Sequence, residues 1–127
     1  MIEVIVSGVI LATALVGAMV TTQKASLVMA EANRESQASQ MMAKTLSTFL
    51  ASPYNTNMAG ILPVSGSQVT LGDVFRCTIT WSVNLVPLDT AAATDLNSQV
   101  ITATVTYNLP NGGQRSITST ARRFEIL

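Results

Sequence analysis

Few side chains in this sequence are of a kind that does chemistry, and their placement narrows what that chemistry is. Glu3 is the only charge in the first 23 residues and stands at the front edge of an uncharged run from Val4 to Gln23. A carboxylate there has two readings. In the first turn of a helix it is favoured by the macrodipole and reaches the headgroup region. Inside an apolar assembly it needs a cation, and a free amino terminus on a neighbouring chain would supply one. Cys77 is the single thiol, with no sequence neighbour that would lower its pKa, so it reads as buried and inert rather than nucleophilic. Trp81 reads as core rather than as a ligand platform, and Arg122-Arg123 with Glu125 as the solvated end of a last strand.

The exclusions are sharper. There is no His, so a Ser-His-Asp triad, a Cys-His pair and a His-ligated metal are ruled out, and one Cys rules out an internal disulfide or a multi-cysteine zinc site. An enzyme would need clustered polar groups of perturbed pKa, whereas Asp73, Asp89 and Asp95 are scattered with no motif around them. No catalytic residue, cofactor or metal is expected. Seven Lys and Arg offset seven Asp and Glu among 127 residues, so no basic footprint for nucleic acid exists. Only 11% of residues are charged and 48% are hydrophobic, against about 25% charged in an ordinary soluble domain. The mean hydropathy is +0.41.

That hydrophobicity is concentrated at the front. The twenty residues from Val4 to Gln23 would form a helix about 30 Å long, the thickness of a bilayer's hydrocarbon core. A cleaved secretory signal has a shorter apolar stretch, a basic leading region and a small-residue cleavage site. Here the first basic residue is Lys24, after the run. The segment reads as a retained membrane helix, or as one that begins where a leader has been removed. Gly8 and Ala12, Ala14 and Ala18, and Gly17 and Thr21 are each four apart. That spacing lets helix backbones approach closely in an apolar medium, although Gly and Ala are common in any membrane helix.

The elements that must position these residues follow from the prolines and the periodicity. All four prolines (Pro53, Pro63, Pro87, Pro110) lie beyond residue 52. Residues 24–50 are rich in good helix formers, so the apolar helix is expected to run on without a break to Ser52-Pro53. Its second half carries an apolar stripe of Met42, Leu46, Phe49 and Leu50, and a small polar face between Ala25 and Gln40. A turn-rich loop from Pro53 to about Ser67 follows. The period then becomes two: Phe75, Cys77, Ile79, Trp81 and Val83 share one face of a strand over 74–83. Ile101, Ala103, Val105, Tyr107 and Leu109 do the same over 100–109. Pro110-Asn111-Gly112-Gly113 is a turn leading to a third strand over 114–123. Residues 84–99 read as a connecting loop with a short helical turn around Ala91–Asp95. The outer faces are rich in Thr (Thr78, Thr80, Thr102, Thr104, Thr106), either a plainly solvated face or an adhesive or glycosylated one. The expected fold is α+β: one long N-terminal α-helix packed on a small antiparallel β-sheet of three or four strands. Its expected parts are an apolar half (1–23), an amphipathic half of the same helix (24–52) and a β-sheet head (53–127).

The opening Met1-Ile2-Glu3-Val4-Ile5-Val6, followed by Gly8-Val9-Ile10-Leu11-Ala12, resembles the start of mature type IV pilins and of type II secretion pseudopilins. The close match covers about twenty residues, and the helix-then-sheet plan is similar over the whole chain. Cys77-Thr78-Ile79-Thr80-Trp81-Ser82-Val83, Ile101–Tyr107 and Asn111-Gly112-Gly113-Gln114-Arg115-Ser116 are similar, less specifically, to minor members. Two residues precede Glu3 where four precede the matching glutamate in typical members, and no second Cys is present for the C-terminal disulfide of many major pilins. The resemblance implies cleavage of a leader by a prepilin peptidase, N-terminal methylation, residence in the bacterial inner membrane, and extraction by an assembly machinery into an extracellular helical filament. It implies that Glu3 pairs with a neighbouring subunit's N-terminal amine, while Gly8, Ala12, Ala14, Gly17 and Ala18 allow close helix packing. The partners would be copies of the chain or other pilins. The rival expectations are a minor pseudopilin of a secretion pseudopilus, and a membrane-anchored binding module with a small β domain.

Overall fold

The computed structural model describes residues 2–54, 57–71, 75–87 and 97–124. The chain divides into two units, Met1–Asn33 and Arg34–Leu127.

Helix α1 runs from Ile2 to Ala51. No proline interrupts it, and the hydroxyls along it fold back on the preceding turn rather than competing for the backbone. Thr13, Thr21 and Thr22 donate to the carbonyls of Val9, Gly17 and Ala18 at 2.7–2.9 Å. The helix stops because Pro53 disfavours the helical region for the residue before it. Ser52 still closes the last turn, its N–H donating to the Thr48 carbonyl at 3.1 Å.

The second unit holds the end of α1, a 3₁₀ turn (Met58–Gly60) and four strands: β1 (Ser67–Leu71), β2 (Phe75–Pro87), β3 (Asn97–Asn108) and β4 (Gln114–Phe124). They form one antiparallel sheet in the order β1-β2-β3-β4. The fold class is the one expected, α+β with a long helix on a small antiparallel sheet, and the strand number is four.

The strand boundaries differ from those read off the sequence in an instructive way. β1 begins where the turn-rich loop ends, in a stretch that the periodicity assigns to no strand, because Ser67–Leu71 offers only Val69 and Leu71 as apolar positions. Pairing supplies what periodicity did not: Val69 opposes Cys77 and Ser67 opposes Ile79. Residues 84–87 and 97–99, expected in a loop, are strand, since β2 and β3 stay in register out to Pro87 opposite Asn97. The helical turn expected around Ala91–Asp95 falls outside the described residues. The β3–β4 turn is where Pro110-Asn111-Gly112-Gly113 places it. Gly112 takes φ +85° there, a conformation that suits glycine, and its N–H donates to the Leu109 carbonyl at 3.1 Å.

The core lies between the sheet's inner face and α1. Ala38, Met41 and Met42 pack with Phe75, Cys77, Ile79, Ala103, Val105 and Tyr107. Phe49 packs with Met58, Leu62 and Ile101. Phe49, Ile79, Ile101 and Val105 are fully enclosed, each worth roughly 1.5–3 kcal/mol of burial. The helix face that touches the sheet is thus Ala38, Met41, Met42, Thr45 and Phe49. Two details of the expected stripe shift. Leu50 is exposed, and Ala38, which lies in the stretch read as a small polar face, is buried against the sheet.

Candidate functional site

The residues singled out for assembly all lie on the front unit. Helix geometry turns about 100° per residue, and this sorts them into two groups. Glu3, Ala14, Gly17 and Ala18 fall on one side, with Ser7 and Thr21 among them. Gly8 and Ala12 fall on another, about 150° away. The six positions therefore make two small-residue faces, not one. A Cβ built on Gly8 or Gly17 meets nothing within 4 Å.

Around those faces the surface is apolar on every side. Ile2, Val4, Ile5, Val6, Val9, Ile10, Leu11, Leu15, Val16 and Met19 are each more than half exposed. A helix that is apolar all round belongs in a protein core or a membrane rather than in water. This one is long and apolar enough to cross a membrane, and its most apolar window has a mean hydropathy of 2.3 with none of it buried. Its hydroxyls are spent on the helix's own carbonyls, Ser7 on that of Glu3 at 2.6 Å. The Glu3 carboxylate has no hydrogen bond or ion pair to any described residue.

The polar groups of the second unit hold the sheet to its own stretch of α1. At one end Arg34 donates to the Asn108 carbonyl, and Glu35 lies 3.7 Å from Arg115. The latter pair is more than half exposed on both sides, so it contributes little to stability. At the other end stands the residue that the sequence misplaced. Arg123, read as part of a solvated strand end, is 8% exposed. Its guanidinium donates to the carbonyls of Phe49 and Ser52 and, from Nε at 2.8 Å, to Gln99 Oε1. It also lies 4.4 Å from the centroid of the Phe49 ring and 5.8 Å from that of Tyr54. The physical reason is the helix terminus. The last turn of α1 contains no basic residue, and its final carbonyls need donors from elsewhere. Burial pushes the Arg123 guanidinium below its ordinary pKa, yet an arginine remains charged at any physiological pH. A signal was available: Ile117, Ser119, Ala121 and Arg123 share a parity, and that parity faces the helix.

Cys77 is buried, as its place on the inward face predicts, and burial pushes its thiol up. Trp81 is half-buried and packs beside both core clusters, its Nε1 donating to the Pro63 carbonyl at 2.8 Å. Among the described residues no three of His, Cys, Asp and Glu gather where they could hold a metal. No family model matches the chain, and no curated protein or solved structure matches it either.

Proposed function

We propose that this chain is a structural subunit that polymerises into a type IV pilus-like extracellular filament through its bundled N-terminal helices, having waited in the bacterial inner membrane beforehand. The observation that carries the reading is the front of α1, where ten large apolar side chains in the first nineteen residues are more than half exposed on all sides. One bilayer crossing would cover such a surface, and so would a bundle of identical helices. Two further features favour a bundle after the membrane stage. Small residues occupy two nearly opposite faces, so one helix can approach two neighbours closely rather than one. Glu3 sits among the small residues of the first face, and a carboxylate carried into an apolar bundle demands a cationic partner.

In this reading a neighbour's N-terminal amine meets Glu3. Attraction between unit charges is strong where water is excluded, and either charge left alone is costly, so the pair sets the axial register while the apolar surface supplies cohesion. The head, residues 34–127, needs no catalytic group for this work.

Glu3→Ala tests it. Shear fractions examined by electron microscopy should lose most filaments, with the chain still at its normal level in the inner membrane. A mere tether for a binding module predicts no defect, because deleting an edge charge only eases insertion. Normal filament yield from Glu3→Ala, or no filament containing the unsubstituted chain, would sink the proposal.

A further inference from the structure

The face of the sheet opposite α1 carries an arrangement that filament formation leaves unused. Register aligns its side chains in rows across three strands. Thr78 opposes Thr106, which opposes Ser116; Thr80 opposes Thr104, which opposes Thr118; Ser82 opposes Thr102, which opposes Thr120. At one end of these rows lies a cleft of about 210 Å³ whose polar lining is Gln68, Arg76, Thr78, Thr106, Asn108 and Gln114. Arg76 is exposed and makes no hydrogen bond or ion pair with any described residue. Together with Asn108 it also lines an adjoining cleft of about 170 Å³, shared with Arg34. Further along β2 and β3 a third cleft of about 180 Å³ is lined by Thr80, Ser82, Thr102 and Thr104. Among the described residues no carboxylate lines any of the three.

The chemistry of this lining is specific in two respects. A guanidinium with no partner among the described residues is a two-pronged donor that matches a carboxylate or phosphate. The three amides and the hydroxyls offer acceptors as well as donors, so a ligand that brings its own O–H groups beside acceptor oxygens uses both. A phosphate ion is chiefly an acceptor and would leave the amide carbonyls idle; a sugar acid uses the whole set. From Thr78 to Ser82 the rows extend about 14 Å along the strand, longer than one sugar ring. We propose that this outer face binds acidic oligosaccharides, Arg76 holding a sugar carboxylate while Gln68, Asn108, Gln114 and the Thr rows hold sugar hydroxyls. The site belongs to the head alone and stands whether or not the chain forms filaments.

The test uses the full chain in zwitterionic detergent micelles, titrated with an oligogalacturonate and followed by calorimetry. A neutral galacto-oligosaccharide of equal length and inorganic phosphate serve as comparison ligands. The oligogalacturonate should bind, with the neutral sugar about tenfold weaker or worse. Arg76→Gln should weaken binding about tenfold or more, the effect of losing a charge-assisted pair. Its thermal melt should be unchanged, since Arg76 is bonded to nothing described. Lys44→Gln, which removes an exposed charge from α1 on the other side of the sheet, should leave affinity as it was. The proposal is overturned if the oligogalacturonate does not bind, if Lys44→Gln weakens it as much as Arg76→Gln, or if phosphate competes as well as the sugar acid does.

Discussion

The two units of this chain solve the problem of apolar surface in opposite ways. In the second unit the two core clusters of the described residues are covered within the chain: Met41, Met42 and Phe49 from α1 meet Phe75, Ile79, Ile101, Val105 and Tyr107 from the sheet. In residues 2–33 the same kinds of side chain are exposed along the whole length of the helix. Composition does not explain the difference, since Val, Ile, Leu and Met serve both. Alternation and amphipathicity do. A strand or helix with one apolar face can be satisfied by a neighbour within the chain, whereas a helix apolar on all sides cannot be covered by one small sheet. The head is complete by itself, and the front half is written for surroundings that the chain does not contain.

The sharpest way to break that comparison is to separate the units. Residues 34–127 expressed alone should be monomeric in water and melt cooperatively, while the full chain should require detergent. Size-exclusion chromatography with light scattering checks both, and an aggregated head fragment would mean that the second unit also depends on outside cover. The next largest effect concerns the clamp within the head. Arg123→Ala removes donors from two helix-terminal carbonyls and from Gln99 and leaves a gap beside Phe49. A loss of about 2–4 kcal/mol is expected, read from urea unfolding. Arg123→Lys should recover only part of it, because an ammonium cannot reproduce the fork.

Cys77 gives the smallest effect and a pH signature. Burial holds its thiol above the ordinary value of 9.0, so the folded chain keeps a proton that the unfolded chain releases. Stability should be independent of this group below that value and should decline as pH rises through it. Comparing the alkaline slope of the melting temperature with that of Cys77→Ala isolates the contribution. In the native state at pH 8, alkylation by iodoacetamide should be slow; rapid modification would mean that the inward face is open.

How much of this was legible beforehand follows the same division. The long helix was readable because nothing between Ile2 and Ala51 breaks one, and β2 and β3 because their alternation spans ten residues each. What escaped was non-local. β1 and the outer ends of β2 and β3 are strands because a partner lies beside them, not because their own residues insist on it. Arg123 looks like any terminal charge until the C-terminus of α1 is placed next to it. Arg76 has an ordinary sequence setting, and its interest arises only from the cleft it shares with Gln68, Asn108 and Gln114. The front unit shows the converse. Glu3 and the small residues were visible at once, and the fold adds that they occupy two faces.

The contact between Arg123 and the Phe49 carbonyl joins residues 74 positions apart, the last described strand to the end of the first element. During synthesis, then, the end of α1 lacks its arginine donor until the ribosome has passed residue 123. The apolar half of α1 emerges before the strands that close the head. In the proposed reading, insertion into a bilayer and closure of the head are thereby separated in time by the order of the sequence itself, and a chain released short of residue 123 would never shut.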